Sequence, residues 1–426
     1  MGKEKANMDA DEIQQQLATL RRRIARIDRK FAASPPPAET PPTELRPARY
    51  FIEEWMSGQE VETALGRHFE TERLYKRHRR HGSMDISHLA ELPDHLLAAI
   101  SDGAIPSSPP SRWAFLDTET TGLAGGTGTY AFLVGVGRIA PDGFRVRQFF
   151  MRDYGEEASL LSALDQHLAD FDVLVTYNGK TYDQPLLETR FRMARARPPF
   201  ARLLHLDLLH GARRLWKLRF ESCRLVELEN QILGFERQGD LPGDMIPYVY
   251  FEYLRNREAF RVAPIFHHNA LDILTLACLT AIVPRAFSAP ADAPLDHGAD
   301  LVGLARWLRK AERHQEAVEL FRKAVDRHLP DELLFRTLWD LALLEKKLGR
   351  ETAALAQWTD LAASRNPFRV PALVELAKYY EHRERNYAMA LEMTRNAQSL
   401  SDTAELRHRQ QRLQQRLAKP SSRRLL

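Results

Sequence analysis

The stretch Trp113-Ala-Phe-Leu-Asp117-Thr-Glu119-Thr-Thr-Gly122-Leu123 constrains this chain most. Four apolar residues rich in aromatics predict a buried strand. Side chains at i and i+2 of an extended segment point to the same face, so Asp117 and Glu119 meet one small volume at the strand's end. Two carboxylates held together repel each other, raise one pKa and cost stability unless a cation is present. A hard divalent metal bound through oxygen is the simplest relief. Asp-x-Glu alone is a weak motif; the apolar strand before it and the Thr-Thr-Gly-Leu turn after it give it weight.

The residues that follow read as a sheet with helices. Gly125-Gly-Thr-Gly128 makes a tight connection, and Tyr130 to Gly137 predicts a second apolar strand. Pro141-Asp-Gly143 is a turn, and Arg145-Val-Arg-Gln-Phe-Phe150 alternates like a half-buried third strand. Glu156 to Leu168 predicts an amphipathic helix. A strand at Val173-Leu-Val-Thr-Tyr177, a helix over Pro185 to Met193 and a strand at Leu203-Leu-His-Leu-Asp207 come next, then helices to about Arg285. An antiparallel meander followed by strand–helix units is a mixed five-stranded sheet with helices on its faces, an α/β class.

At 426 residues the chain exceeds one ordinary core. Four regions are predicted. Residues 1–48 hold a basic amphipathic helix (Ile13, Leu17, Leu20, Ile24 and Ile27 with Arg21, Arg22, Arg23 and Arg26) and a Pro-rich linker. Residues 49–111 form an extension packing on the core, with a strand near Val61-Glu-Thr-Ala-Leu and a basic cluster, Lys76-Arg-His-Arg-Arg-His81, read as wet surface or as contacts to a phosphate backbone. Residues 112–288 are the central domain. After the linker Ala289 to Pro294, residues 296–416 carry Ala317-x3-Phe321, Ala354-x3-Trp358 and Ala390-x3-Thr394 at nearly constant spacing, each late in a two-helix pattern. These resemble tetratricopeptide repeats, whose stacked pairs bind protein partners on a concave face. A plain helical bundle fits almost as well.

Composition excludes several classes. No uninterrupted apolar run is long enough for a bilayer, so no membrane association is expected. Met-Gly-Lys-Glu-Lys lacks the apolar core of a secretory signal. The two cysteines, Cys223 and Cys278, read as small buried hydrophobes, which fits a cytoplasmic protein. The net charge of +4 permits nucleic-acid binding without arguing for it. No His-Glu-x-x-His occurs, so a zinc hydrolase is a poor reading. Gly179-Lys180-Thr181 is not a phosphate-binding loop, because position 174 is Leu where a glycine is required.

Two further stretches carry chemistry. In Tyr177-Asn178-Gly-Lys-Thr-Tyr-Asp183-Gln-Pro, a strand ends at Asn178 and Asp183 opens a helix, either as a site residue or as its N-cap. In His267-His268-Asn-Ala-Leu-Asp272, a helix places His268 and Asp272 on one face.

Asp-x-Glu, Asn-x4-Asp and His-x3-Asp, in that order, resemble the three motifs of the DEDD branch of the ribonuclease H-like superfamily. The closer likeness is to its YprB-like group with C-terminal tetratricopeptide-like repeats. It extends over Arg213-Arg-Leu-Trp-Lys-Leu218, Cys223-Arg-Leu225, Glu229, Arg237-x-Gly-Asp240-x-Pro-Gly243 and Ile246-Pro247. The resemblance implies a ribonuclease H-like sheet and a metal-dependent 3′–5′ exonuclease acting on single-stranded DNA or RNA. It further implies that Asp117, Glu119, Asp183 and Asp272 bind two Mg²⁺ or Mn²⁺ ions about 3.5–4 Å apart. His268 is the implied general base, with His267 as the alternative, and Thr118, Leu123 and Asn178 are implied substrate contacts. A second class remains open: a non-catalytic nucleic-acid-binding adaptor whose repeats recruit a protein.

Overall fold

The computed structural model describes residues 52–101, 103–122 and 127–418. The basic N-terminal helix, the Pro-rich linker, Leu123 and the glycines at 125 and 126 lie outside the described residues. The central element is a seven-stranded mixed sheet. Its strands are β1 (Gln59–Thr63), β2 (Gly66–Lys76), β3 (Trp113–Thr120), β4 (Ala131–Ala140), β5 (Gly143–Phe150), β6 (Val173–Thr176) and β7 (Leu204–Asp207). In space their order is β1-β2-β5-β4-β3-β6-β7. Pairing is antiparallel from β1 to β3, whereas β3–β6 and β6–β7 are parallel.

The predicted meander and two parallel strands are present, and two more strands extend the sheet. The expected extension before Trp113 is therefore part of the sheet: β1 and β2 form a hairpin, and β2 pairs with β5 from Phe69↔Phe150 to Lys76↔Gly143. In β2 the charged residues Glu70, Glu72 and Arg73 break the apolar alternation that marks a strand. Glu70 is nonetheless buried, because His68 and Arg147 meet its carboxylate. His81 departs from the wet-surface reading: it is 2% exposed and belongs to a buried network described below.

Alternation along β3 divides the interior. Ala114 and Leu116 face one core with Leu160, Leu164 and Leu168 of α1 (Glu157–Leu168) and Leu187 and Phe191 of α2 (Asp183–Met193). Trp113 and Phe115 face the other, with Ala212 and Leu215 of α3 (Leu208–Trp216) and Ile273, Leu274 and Ala277 of a long helix. Each fully buried Leu, Ile or Phe among these contributes about 1.5–3 kcal/mol. After α4 (Ile246–Asn256), that long helix, α5 (Ala259–Ser288), crosses the Phe115 face of the sheet. Its composition and length suit a membrane span, but 83% of its most apolar window is buried inside the protein. Two glycines let it approach. A Cβ on Gly135 would lie 2.1 Å from Asn269 Oδ1, and one on Gly137 would lie 2.5 Å from Ile273.

Seven helices follow: α6 (Gly298–Lys310), α7 (His314–Val325), α8 (Asp331–Lys347), α9 (Glu351–Ala363), α10 (Arg369–His382), α11 (Tyr387–Leu400) and α12 (Ala404–Ala418). Each packs chiefly on its neighbours in sequence. Ala317, Ala354 and Ala390 are fully buried at matching places on the second helix of successive pairs. The segment between α5 and α6 is not a free linker, since Ala293 and Leu295 are buried. The Trp307 ring packs tilted against Phe287, centroids 4.4 Å apart, and Gly303 of α6 lies against the carbonyls of Arg214 and Leu215 on α3. One hydrophobic core thus runs from the sheet into the first helices of this region.

Candidate metal centre

Asp117 continues the face of Trp113 and Phe115, so the alternation that buries the aromatics aims its carboxylate at α5. Opposite it in register is Gly135, and the space a side chain would have filled holds the carboxamide of Asn269. Asn269 Nδ2 donates to Asp117 Oδ2 at 2.8 Å. The Asn269 amide is itself fixed: Gln148 Nε2 donates to its Oδ1 at 2.8 Å and to the Phe266 carbonyl at 2.9 Å. Thr71 Oγ1 donates to Gln148 Oε1 at 3.2 Å, which links β2 to Asp117 through three side chains.

Asp183 is the first residue of α2 rather than its cap; Tyr182 occupies the capping position and makes no side-chain cap bond. The Asp183 carboxylate turns inward and accepts a 2.5 Å hydrogen bond from Thr118 Oγ1. Thr118 is buried, and that bond is what its hydroxyl does here. Asn178 has φ +68°, a left-handed conformation that asparagine tolerates. Its N–H donates to Asp207 Oδ1 at 2.8 Å, and its carbonyl accepts from the N–H groups of Thr181 and Tyr182. Asn178 thus shapes the turn that delivers Asp183, while its side chain is exposed.

His268 and Asp272 stand one turn apart on α5, with His268 Nε2 3.4 Å from Asp272 Oδ2. Ligand atoms of Glu119, His268 and Asp272 all lie within 4.8 Å of one another. His267 points elsewhere: it is exposed and shares a 3.1 Å hydrogen bond with Arg73.

Behind these residues lies a support that sequence reasoning did not assign. His268 Nδ1 meets Asp240 Oδ2 at 2.7 Å. Arg237, 4% exposed, donates to Asp272 Oδ1 at 2.5 Å, to Asp240 Oδ2 at 3.1 Å and to both oxygens of Glu229. Glu229 is fully buried and also accepts from Thr275, and His81 Nε2 lies 3.1 Å from it. Buried charges persist only when paired in this way. The positions of Glu229, Arg237 and Asp240 were visible in the chain, but nothing in their spacing links them to Asp272.

The acids are electrostatically crowded. Burial, followed by the charges of Asp272 and Asp183, pushes Asp117 well above the usual carboxylate range. Burial and the charges of Asp117, Asp272, Asp183 and Asp240 do the same to Glu119. Burial is also the main reason Asp183 is pushed up to about 6, against the opposing hydrogen bond from Thr118. For His268, burial favours the neutral ring, but the Asp240 hydrogen bond and the Asp272 charge outweigh it and raise its pKa. Among the described residues no side chain donates to the carboxylate of Glu119, although the residue is only 9% exposed. A buried acid without a donor, beside three further carboxylates and an imidazole, is a donor set that suits a hard divalent cation.

A family model described as the RNase_H superfamily matches residues 114–283, which span β3 to the greater part of α5. The chain is also 35% identical over 310 residues to the uncharacterized protein YprB of Bacillus subtilis (strain 168), covering 72% of this chain and 73% of that protein. The superfamily comprises mainly nucleases, and its fold suits nucleic-acid binding and divalent-metal chemistry. With this match lying on the strands and helix that carry the acids, the chain belongs to the family of YprB and carries an RNase_H superfamily domain over residues 114–283.

Proposed function

We propose that this protein is a two-metal nuclease, a 3′–5′ exonuclease on single-stranded DNA or RNA. The observation that carries this reading is the cluster of Glu119, His268 and Asp272 within 4.8 Å, with Asp117 and Asp183 near enough for their charges to act on Glu119, which among the described residues has no side-chain donor. Asp117, Glu119, Asp183 and Asp272 would hold two Mg²⁺ or Mn²⁺ ions. Such ions, when bound, acidify water and stabilise charge on the departing oxygen. The remaining chemistry falls to the chain. Asp240 holds His268 at Nδ1 and sets Nε2 towards Glu119 and Asp272, where it takes the water's proton. Asn269 and Thr118 keep Asp117 and Asp183 in fixed rotamers, so little reorganisation is left to the reacting complex. Asn178 acts through the turn before Asp183, and the helical region offers a surface for a protein partner.

The test is degradation of 3′- and 5′-labelled single-stranded DNA and RNA with Mn²⁺, beside Asp117→Asn and Asp272→Asn. Stepwise shortening from the 3′ end, lost in both variants, is expected. Absence of cleavage with retained binding would replace the nuclease by a nucleic-acid-binding adaptor.

A further inference from the structure

A cleft of about 690 Å³ opens at the carboxyl end of β6, the strand next to β3. Tyr177 and Asn178 form its inner wall, and Arg213, Lys217 and Arg224 line it with Ser222. Arg213 on α3 and Lys217 at its C-cap are one turn apart and so share a face. The opposite wall is held in place, because the Tyr177 hydroxyl donates to the Cys223 carbonyl at 2.5 Å and Cys223 is buried. Ser222 Oγ accepts the Arg224 N–H at 3.2 Å, which leaves its own proton available.

Several arginines on and around the sheet are paired with carboxylates. Arg145 meets Glu72 and Asp142, Arg152 meets Glu53, Glu60 and Glu156, and Arg190 meets Glu157. Among the described residues, Arg213 and Arg224 contact no carboxylate, and Lys217 meets only the Glu221 carbonyl. Among the described residues, Glu221 is the one acid lining the cleft, against three cations. Unpaired cations gathered in a cleft with hydroxyl and carboxamide donors complement a polyanion. β6 lies beside β3, and β7 beyond it, so one to two strand spacings, about 5–10 Å, separate this edge from the acidic cluster.

We propose that this cleft binds the phosphate backbone of the single strand whose terminus lies at Asp117, Glu119, Asp183 and Asp272. The assignment rests on the nuclease reading for its substrate and adds the path by which the strand leaves the site. Arg213 and Arg224 contact phosphates a few nucleotides from the scissile bond, and Ser222 and Asn178 donate to the same backbone.

The test measures binding, so that it does not depend on turnover. Fluorescently labelled twelve-nucleotide oligo(dT) and oligo(rU) are titrated in Ca²⁺ onto full-length Asp117→Asn protein, with and without Arg213→Glu and Arg224→Glu. At about 100 mM salt the double reversal should raise Kd at least about tenfold, and the slope of log K against log salt should fall by about 1.4, two phosphates at about 0.7 each. Arg213→Gln with Arg224→Gln should give the same slope change, and Lys323→Glu with Lys347→Glu, equal in charge but on α7 and α8, should not. Equal affinity and slope in parent and double variants would overturn the proposal, as would a parent that binds neither oligonucleotide. If binding depends on the cleft while the wild-type protein never cleaves, the nuclease reading fails and the cleft stands.

Discussion

Asp183→Asn should make the metal-free protein more stable. Asparagine resembles the protonated carboxyl and still accepts from Thr118 Oγ1. Asp183 is raised from 3.8 to about 6, chiefly by burial. A folded-state carboxyl pKa above the unfolded value means that ionisation opposes folding. The penalty is absent below about pH 4, grows as pH rises through the interval to 6, and is then fully present. At 1.36 kcal/mol per pH unit, it amounts to about 3 kcal/mol. In EDTA at pH 7.5 the variant should therefore melt some 5 °C above wild type, and the two curves should merge near pH 4. Mn²⁺ should act in the opposite sense. At about a hundred times its Kd it adds about 2.7 kcal/mol to wild type, whereas the variant, short of one ligand, should gain much less. Thermal melts across pH 4–8, with EDTA or with Mn²⁺, contain the whole test. A variant that melts lower than wild type in EDTA, or that keeps the full Mn²⁺ shift, would refute the argument from crowded charge.

Asp240→Asn removes the charge at His268 Nδ1, so kcat on a single-stranded substrate should fall about 10–100-fold with little change in KM, and the acidic limb of the pH–rate profile should move to lower pH. Equal loss in KM would indicate a substrate contact instead. Arg237→Met leaves Glu229 and Asp272 buried without their cation and should destabilise the protein by about 3–5 kcal/mol in denaturant melts; a change below about 1 kcal/mol would mean that the network is dispensable. His205, bonded to Thr176 and Gln184, is lowered to about 4, mainly by burial and secondarily by Lys180. Its folded pKa lies below the ordinary 6.5, so its contribution is present above about pH 6.5 and is lost as pH falls towards 4, by about 2 kcal/mol once partial exposure is allowed for. His205→Gln should flatten that part of the stability–pH curve.

Local periodicity made much of this protein legible. β3, β4, β5, β6 and β7 are apolar or alternating runs bounded by turn residues, and a period of two suffices to place Asp117 and Glu119 on one face. The one-turn spacing of His268 and Asp272 is equally local. β2 was hidden because its buried Glu70 is paired with His68 and Arg147, residues that only the folded sheet brings to it. His81 was misread for the same reason: a basic run looks solvent-facing until Glu229, distant in sequence, is placed against it.

From the chain alone came the five strands from β3 to β7, the three acidic motifs and the helix pairs beyond Gly298, all set by short-range alternation and spacing. The tertiary structure decided what those residues touch. Asn269 fills the space left by Gly135 to hold Asp117, Thr118 holds Asp183, and Arg237 joins Glu229, Asp240 and Asp272. It also separated His268, facing the acids, from His267, facing Arg73. Adjacent residues on a helix point about 100° apart, so two histidines alike in sequence meet different surroundings. The identity of those surroundings is a property of packing between segments up to 194 residues apart, and no local pattern encodes it.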